Sequence, residues 1–315
     1  MTSPIAITLG DPAGIGPEVA ARVLAADDGR SNWVVVGCEW ALQQGAQVAG
    51  VALPKVTFED VGVSVPADFT YGKVQPECGR AAVLAVEHAA RGCLDNRYSA
   101  MVTCPLNKEA IHAAGYVDDL GHQEILARLT GAEWTATMLM TPGLKVAHLS
   151  THKSLIEAAR YVRFDVLVEK LQLLQQSLTQ WGIAAPRIAV AALNPHGGEG
   201  GLLGREEIDE IAPAVAACQA QGLQVTGPIP ADSVFNRAVE GEFDVVLALY
   251  HDQGHIAIKV HNFHESTTAT MGIPFVRTSV DHGTAFDIAG SGVADPRGLV
   301  AAIETAEQIV TGTLR

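Results

Sequence analysis

Short apolar runs alternate with longer amphipathic stretches along almost the whole chain. The runs are rich in β-branched residues, which is typical of strands in a parallel sheet covered on both faces. They span residues 5–9, 33–36, 100–102, 145–148, 187–192 and 244–250. Apolar positions at helical spacing predict helices at residues 17–24, 79–91, 164–181, 206–221 and 298–311. This alternation predicts an α/β fold.

The size and charge of the chain narrow the classes of function. Its 315 residues suffice for one large domain or two α/β lobes, and 48% hydrophobic against 18% charged residues argues against disorder. The net charge of −14 should repel a polyphosphate backbone, so we do not expect nucleic-acid binding. A small anionic substrate could still bind if a local cluster of Lys or Arg side chains, or a metal ion, offset the negative charge of the whole chain.

The cysteines and the N-terminal segment bear on the compartment. Five cysteines, an odd number without a CxxC pair, favour reduced thiols in the cytosol. The segment MTSPIAITLGDP lacks the basic start and long apolar core of a signal peptide. No apolar run is long enough to span a membrane. We therefore expect a cytoplasmic protein without a membrane segment.

A glycine-rich loop, GDPAGIGPE at residues 10–18, follows the first predicted strand and opens a helix. Its glycines permit a tight turn and the close approach of a ligand to the helix N-terminus, where free N–H groups favour anions. The spacing matches neither a GxGxxG fingerprint nor a Walker loop. An ordinary strand–helix turn explains this loop equally well.

Three histidines each follow a predicted strand: His152 in STH, His196 in NPHGG and His251 in YHDQG. The carboxyl ends of strands face the ligand crevice of α/β sheets, so three imidazoles could converge there on one divalent metal. Nitrogen ligands favour zinc-like ions over magnesium. Each histidine alone is better explained as a polar residue near a turn, and only the shared position favours a metal. His148 falls inside a predicted strand and is interpreted as a strand residue.

A second glycine-rich segment, SVDHGTAFDIAGSGVADP, covers residues 279–296. Small residues let the backbone wrap closely around a flat ligand, and His282 and the hydroxyl of Thr284 could hydrogen-bond to ribose or adenine. The composition of this segment alone does not indicate a ligand site, because any glycine-rich loop before a helix would have the same composition.

Candidate anion-binding groups lie near the end of the chain. Lys259 and Arg277 flank three threonines, including Thr268, and could hold a phosphate or carboxylate through charge-assisted hydrogen bonds. His122 and Gln123, at a predicted helix start, could add neutral donors. Solvated surface charges are the alternative. The candidate acid–base groups are Asp252 and Asp232, which lie beside loops already implicated in the site, and Lys108, in the segment TCPLNK.

Taken together, these segments resemble the PdxA (4-hydroxythreonine-4-phosphate dehydrogenase) family. The ordered set covers nearly the whole chain and is specific, although no single piece would be. It comprises GDPAGIGPE at 10–18, TCPLNK at 103–108, GHQE at 121–124, STH at 150–152, LNPHGGEGG at 193–201, GPIPADSVF at 227–235, YHDQGH at 250–255 and PFVRTSVDHGTAFDIAG at 274–290. The last segment is also similar to the HGSAPDIAGKGIANP loop with which isopropylmalate and isocitrate dehydrogenases bind adenosine.

The resemblance implies an α/β fold of two α/β/α lobes of the isocitrate/isopropylmalate dehydrogenase-like type, with a cleft between them. Residues 1–125 and 285–315 would form the first lobe, and residues 126–284 the second, with the metal ligands and dimer contacts. It further implies NAD, one divalent metal (Zn, Co or Mg), and a homodimer with the active site at the subunit interface.

The resemblance also implies roles for matching positions. His152, His196 and His251 would be the metal ligands. The substrate-anchoring positions are His122, Gln123, Lys259, Thr268 and Arg277, and those of the dinucleotide loop are His282, Gly283, Thr284, Ala285, Asp287 and Asp295. Gln123 stands where the family usually has threonine, and Thr268 where it usually has asparagine. Both positions touch substrate in the family, so the natural substrate is in doubt while the reaction is not.

Our hypothesis is an NAD- and metal-dependent oxidation, with decarboxylation, of a small phosphorylated hydroxy acid such as 4-phosphohydroxy-L-threonine. The metal would stabilise an alkoxide, Asp252 or Asp232 would take the proton, and hydride would pass to the nicotinamide. The alternatives within this chemistry are a phosphorylated four-carbon sugar acid and a cyclic dihydrodiol dicarboxylate. Outside it, a zinc-dependent hydrolase or lyase and a non-catalytic binding protein remain open.

Overall fold

The computed structural model describes residues 3–29, 31–119 and 121–314. Strands and helices alternate along the chain, so the predicted α/β class is confirmed. The first two residues of the predicted N-terminal segment and the last residue of the predicted first lobe lie outside the described residues. None of the described helices is both long enough and apolar enough to cross a bilayer.

The strands are short, as the apolar runs indicated. They are β1 (Ile5–Thr8), β2 (Trp33–Gly37), β3 (Thr57–Asp60), β4 (Ala100–Thr103), β5 (Ala136–Thr141), β6 (Leu144–His148), β7 (Ile188–Ala191), β8 (Val225–Ile229), β9 (Val245–Ala248), β10 (Thr267–Met271) and β11 (Val276–Val280). The helices are α1 (Gly16–Ala26), α2 (Glu39–Ala49), α3 (Pro76–Leu94), α4 (Lys108–Ala113), α5 (His122–Thr130), α6 (Leu155–Tyr161), α7 (Phe164–Gln180), α8 (Ala212–Ala220), α9 (Ala231–Val239), α10 (His251–His261) and α11 (Arg297–Thr311). The predicted helix at 206–221 is a π-helical turn, Glu207–Ile211, followed by α8.

The chain divides into two compact units. Unit 1 comprises Met1–Thr135 and Ile273–Val310, and unit 2 comprises Ala136–Gly272 and Thr311–Arg315. These boundaries differ from the expected ones at 125/126 and 284/285. Residues 126–135 stay with unit 1 because Ile125 and Leu126 of α5 are buried in a core shared with α3. Residues 273–284 do so because β11 pairs with β4.

Unit 1 contains a parallel sheet in the order β3-β2-β1-β4-β11. Alternate residues of a strand point to opposite faces, and here both faces are apolar. Ile5 and Ile7 pack in the core formed with α1 and α11, whereas Ala6 packs in the core formed with α3. Burial on both sides explains why the strand appears in the sequence as an unbroken apolar run.

Unit 2 contains a mixed sheet in the order β10-β5-β6-β9-β7-β8. The strands from the apolar runs, β6, β9 and β7, are adjacent and parallel. The antiparallel pairs arise from β5 and β10, which the sequence analysis did not identify. β5 and β6 form a hairpin, and Gly143 between them takes the left-handed φ of 83° that a tight turn requires.

Candidate active site

Arg277, on β11 of unit 1, is a deeply buried cation. The residue is 4% exposed, and its Nε and Nη2 atoms donate to Thr103 Oγ1 at 3.2 and 2.6 Å. Thr103 is the last residue of the neighbouring strand β4. Burial lowers the pKa of Arg277 to about 9, because the interior solvates the charge poorly. An anion bound beside the guanidinium would offset that cost.

His122 begins α5 in the same unit. Its Nε2 atom is buried and has no hydrogen-bond partner among the described residues. Burial, and secondarily the charge of Arg277, lowers the pKa of His122 well below its usual value, so the imidazole is neutral. A buried nitrogen without a partner is costly, and a ligand oxygen or proton donor would satisfy it. Gln123 is the second residue of the helix and is half-buried.

Lys108 lies close to the same helix start. It is the exposed first residue of α4, where the Asn107 side chain caps the helix by accepting from Ala110 N at 2.9 Å. Its Cε atom lies 3.8 Å from the point that a Cβ on Gly121 would occupy. The sequence analysis assigned Lys108 to acid–base chemistry. The structure places it where its charge would favour an anion at the N-terminus of α5.

The two glycine-rich segments contact each other in unit 1. Thr284 O accepts a hydrogen bond from Ile15 N at 3.0 Å, and a Cβ on Gly14 would lie 2.9 Å from Thr284 Cβ. The later segment is also held by α1, because Arg22 Nη2 donates to Gly292 O at 2.5 Å and Ala294 N donates to Glu18 Oε1 at 2.9 Å. The segment expected to wrap a dinucleotide is therefore anchored at both ends.

The predicted dinucleotide positions differ in exposure within that segment. Thr284 is buried at 8%, and Ala285 takes a left-handed φ of 44°. The residues that are exposed are His282, Gly283, Asp287 and Asp295. His282 Nδ1 bonds with Gly283 O at 3.0 Å, and Asp295 pairs with Arg297. The exposed members are accessible to a ligand, whereas Thr284 serves mainly as the contact to the first loop.

Asp11, in the first loop, is a buried carboxyl that the sequence analysis passed over. It is fully buried, its Oδ1 accepts from Ala13 N at 2.8 Å, and its Oδ2 has no partner among the described residues. Burial raises the pKa of Asp11 to about 7, and the hydrogen bond from Ala13 opposes the shift. Its motif, GDPAGIGPE, was visible in the sequence, but its burial was not.

The three predicted metal ligands follow three neighbouring strands of unit 2. His152 comes four residues after the end of β6, His251 begins α10 after β9, and His196 follows β7. Because these strands are adjacent and parallel, all three histidines follow the same edge of the sheet. All three are at least partly exposed.

Two of these imidazoles are held by carboxylates through one ring nitrogen. His196 Nδ1 lies 2.7 Å from Glu199 Oε1, and His251 Nδ1 lies 2.7 Å from Asp252 Oδ1. A carboxylate on Nδ1 leaves Nε2 as the free ligating atom, which is the arrangement seen around many metal-binding histidines. The structure thus gives Asp252 a role in orienting His251, beside its predicted role as a base.

The loop that carries His196 has an unusual backbone. The residues from His196 to Gly200 all have positive φ, between 47° and 81°. Glu207 holds the residues just before this loop: its Oε1 accepts hydrogen bonds from Leu193 N at 2.8 Å and from Asn194 N at 2.7 Å. The glycines of HGGEG supply most of this left-handed run, which explains their density.

A second group of imidazoles lies beside His251. The His255 ring stacks on the His251 ring with centroids 3.6 Å apart, and His255 Nδ1 lies 3.2 Å from His148 Nε2. His148 ends β6, as the sequence analysis interpreted it, and burial lowers its pKa to about 3. Gly254 makes room for it, since a Cβ there would lie 2.3 Å from His148 Nε2.

The described residues contain no group of three or more His, Cys, Asp and Glu side chains arranged to hold a metal ion. His152, His196 and His251 thus have suitable donor chemistry and share a sheet edge, but their rings are not gathered around one point. The other predicted residues of unit 2 are dispersed. Lys259 Nζ donates to Ser266 Oγ at 3.1 Å, Thr268 lies in β10, and Asp232 is an exposed residue of α9.

Comparison with known proteins shows full-length similarity. A family profile described as "Pyridoxal phosphate biosynthetic protein PdxA" matches residues 29–306. A D-threonate 4-phosphate dehydrogenase of Cupriavidus necator is 42% identical, covering 98% of this chain and 97% of the relative, and a 4-hydroxythreonine-4-phosphate dehydrogenase of Beijerinckia indica is 41% identical, covering 98% and 96%. The crystal structure of 4-hydroxythreonine-4-phosphate dehydrogenase from Klebsiella pneumoniae superposes with a TM-score of 0.89 at 40% identity, covering 98% of this chain and 100% of that one.

Proposed function

The chain belongs to the PdxA family, and on that premise we propose that it oxidises a hydroxyl of a small phosphorylated hydroxy acid, with NAD as the hydride acceptor. The single observation that carries the proposal is the buried guanidinium of Arg277 together with the unpartnered Nε2 of His122, an imidazole whose pKa the charge of Arg277 helps to lower. A site that keeps a cation in its interior and a neutral imidazole next to it suits a phosphate or carboxylate group.

Substrate anchoring is the first step that these residues would perform. Arg277 would grip the distal phosphate, and His122 Nε2 would bond to one of its oxygens. Lys108 and Gln123 would approach the same group from the starts of α4 and α5. We assign Lys259 and Thr268 to the same substrate as predicted anchors. Fixing the charged end orients the hydroxyl, which reduces the entropy lost on reaching the transition state.

Oxidation removes a hydride from the carbinol carbon and a proton from its oxygen. NAD, when bound, supplies the hydride acceptor. We assign His282, Gly283, Thr284, Ala285, Asp287 and Asp295 to its adenosine half, as the family resemblance implies. The proton would go to a carboxylate, Asp252 or Asp232, directly or through water. A ketone formed β to a carboxylate would then lose CO₂.

We further propose that His152, His196 and His251 bind one divalent metal. The support is their common sheet edge and the carboxylates on Nδ1 of His196 and His251, which leave Nε2 for coordination. A divalent cation there would polarise the substrate hydroxyl. Gathering the three rings requires movement of their loops. The test is the metal content of the purified protein after dialysis: we expect stoichiometric Zn, Co or Mg in the wild type and none in His196→Ala.

The substrate is proposed as a class rather than a single compound. The relatives' names divide between D-threonate 4-phosphate and 4-hydroxythreonine 4-phosphate, at nearly equal identity. The two acids share the terminal phosphate and differ in the group on the carbon next to the carboxylate. Gln123, in place of threonine, and Thr268, in place of asparagine, are the positions we assign to this choice.

The deciding experiment measures NADH absorbance with a panel of 4-phosphohydroxy-L-threonine, 4-phospho-D-threonate and a cyclic dihydrodiol dicarboxylate. We expect turnover of at least one phosphorylated acid. Turnover of the dicarboxylate alone would refute the phosphorylated class. A zinc-dependent hydrolase would not bind NAD, so equilibrium dialysis against NAD separates that alternative. We place the enzyme in the cytoplasm as a homodimer with its active site at the subunit interface, in line with the family expectation.

A further inference from the structure

His255, on the second turn of α10, is a histidine to which the proposed function gives no role. The helix begins at His251, so the two residues are four positions apart and lie on the same face. Their rings are parallel to within 11°, and their centroids are 3.6 Å apart. The rings therefore touch face to face, and the His251 ring cannot rotate about its Cβ–Cγ bond without losing this contact.

His148 holds the His255 ring against the sheet of unit 2. His148 Nε2 lies 3.2 Å from His255 Nδ1, and the ring centroids are 4.6 Å apart. His148 is the last residue of β6 and is only 2% exposed. Its backbone pairs with Ala248 at the end of β9, the strand that directly precedes α10. A side chain enclosed in this way has little freedom to move, so it gives His255 a fixed support.

The first turns of α10 are held at the same place. His255 Nδ1 also lies 3.1 Å from His251 O, and because a carbonyl only accepts, this nitrogen carries the proton. Gly254 lets α10 approach β6 closely, since a Cβ there would lie 2.3 Å from His148 Nε2 and 2.7 Å from Val146 Cγ1. The part of the helix that carries both imidazoles thus has a defined position over the strand.

The two contacts of the His251 ring restrain it in different ways. Asp252 Oδ1, 2.7 Å from His251 Nδ1, determines which edge of the ring faces the carboxylate. The side chain of Asp252 is 73% exposed, however, and water competes for a hydrogen bond between exposed groups. The stack on the half-buried His255 fixes the plane of the ring. Together, the two contacts aim Nε2 of His251 in one direction.

We infer that His255, supported by His148, is a positioning residue that holds the His251 ring by stacking and so prepares Nε2 to bind the divalent metal. The inference rests on the proposed function in taking His251 as a metal ligand. It adds a residue that acts through His251 rather than on the metal itself. A ligand that is already oriented loses less freedom on binding, so loss of the stack should weaken metal binding without abolishing it.

Three substitutions separate the ring of His255 from its hydrogen bonds. His255→Phe keeps a ring for stacking and removes Nδ1. His255→Asn keeps an N–H group near the position of Nδ1 and removes the ring, and His255→Ala removes both. His261→Ala is the matched control, because His261 is an exposed imidazole at the other end of the same helix.

The first measurement is the tautomer of His251, obtained from side-chain nitrogen shifts in NMR spectra of the metal-free, full-length protein at pH 8. His251→Gln identifies the resonances. In the wild type, Asp252 favours the tautomer with its hydrogen on Nδ1. We expect the His251 shifts to move towards those of a freely rotating imidazole in His255→Ala and His255→Asn. His255→Phe and His261→Ala should keep the wild-type shifts.

The second measurement is the affinity of the metal-free proteins for zinc, determined by competition with a chelator. We expect His255→Ala and His255→Asn to bind zinc about tenfold more weakly than the wild type, which is the effect typical of residues that orient a metal ligand. His255→Phe and His261→Ala should stay within about twofold of the wild type, because both keep the stacked ring.

The outcomes separate this inference from the proposed function. Wild-type His251 shifts in His255→Ala would overturn the inference, whether or not the protein binds zinc. Wild-type behaviour of His255→Asn would also overturn it, because the ring would then be dispensable. Altered shifts in these two variants alone, in a protein that binds no zinc, would support the stacking role and overturn the proposed metal site. An equal change in His261→Ala would show a general disturbance of α10 and would overturn the inference.

Discussion

Arg277 is the residue on which the proposed site most depends. Moving a guanidinium out of water costs several kcal/mol, and the Thr103 hydroxyl is a neutral acceptor that offsets only part of this. Keeping this charge buried in the free enzyme lowers the stability of the fold, but it leaves a cation in place to bind an anion. Substrate binding and protein stability should therefore respond in opposite directions when the charge is removed.

The variant Arg277→Met tests whether substrate binding and protein stability change in opposite directions. We expect kcat/KM for the phosphorylated acid to fall about a hundredfold or more, because the anion loses its buried partner. The free energy of unfolding should stay constant or rise by roughly 1–4 kcal/mol, because the desolvated charge is gone. Steady-state kinetics and urea unfolding measure the two effects. Arg91→Met, which removes an exposed arginine of the same unit, is the control and should change neither quantity much.

Asp11 adds a pH dependence of its own. Its pKa is raised by burial from 3.8 to about 7, so the folded protein binds this proton more tightly than the unfolded chain does. The associated stability is complete below pH 3.8 and is lost as the pH rises to about 7. Asp11→Asn keeps the oxygen that accepts from Ala13 N but removes the titration.

We therefore expect Asp11→Asn to exceed the wild type in stability at pH 8 and to match it at pH 4. The difference should grow by up to roughly 1.4 kcal/mol for each pH unit across the interval. Urea unfolding at several pH values provides the measurement, with the exposed Asp68→Asn as control. A constant difference across the range would show that Asp11 does not titrate there.

Motifs in the sequence identified some site residues and missed others for a clear reason. His122 and Arg277 stand in recognisable segments, so their importance could be predicted. Thr103 and Asp11 also stand in motifs, but their roles depend on burial and on contact across strands. Arg277 and Thr103 are brought together by pairing between β11 and β4, which are far apart in sequence. Local patterns carry no information about that pairing.

At the scale of elements, a close contact with α1 fixes the position of α2. The helices approach so closely at Gly45 that a Cβ there would lie 2.4 Å from Pro17 C and 2.5 Å from Pro17 O. The obstruction is backbone, which cannot rotate away. Gly45 therefore sets the distance at which α2, with Gln44 and Gln47, lies over the first helix.

Gly45→Ala should destabilise the protein although alanine is the better helix former. The propensity gain of about 1 kcal/mol is outweighed by an overpacking cost of roughly 1–3 kcal/mol, because α2 has to move. Chemical denaturation should show a net loss. Gln43→Ala, on the exposed side of the same helix, should be neutral. A stabilised Gly45→Ala protein would mean that the two helices separate easily.

Strand prediction succeeded for the six apolar runs and missed β3, β5, β8, β10 and β11, of which β5 is itself largely apolar and buried. The six apolar runs all became strands. β11 was missed because its sequence, VRTSV, contains three polar residues that are nonetheless buried. β3, TFED, was missed because it is partly exposed and ends in acidic residues. Polar residues that serve a site or an edge hide the periodicity on which strand prediction depends.

At the scale of the whole molecule, α10 presents an apolar stripe to solvent. Ile256 is 60% exposed, Val260 82% and Phe263, just beyond the helix, 65%. Positions four apart lie on the same face of a helix, so Ile256 and Val260 are neighbours. Exposed apolar stripes of this kind commonly mark surfaces where protein copies associate. The stripe is a candidate contact for the proposed homodimer.

Light scattering after size exclusion should give twice the chain mass of 33.1 kDa. Val260→Glu should shift the population towards the monomer, since it places a charge in the apolar contact without disturbing the core. Lys153→Glu, a charge change at another exposed position, is the control. A wild-type mass of one chain at micromolar concentration would contradict the homodimer.

The division of unit 1 into two chain segments has a consequence for biosynthesis. Its first segment leaves the ribosome early, but β11 and α11 come from residues 273–310. Ile5 and Ile7 share their core with α1 and with Leu299 and Ile303 of α11, so that face of the sheet is only partly covered while residues 136–272 are translated. Unit 2 can meanwhile complete most of its sheet. The nascent chain thus exposes an apolar surface over a long interval of elongation, when chaperone binding would be most useful.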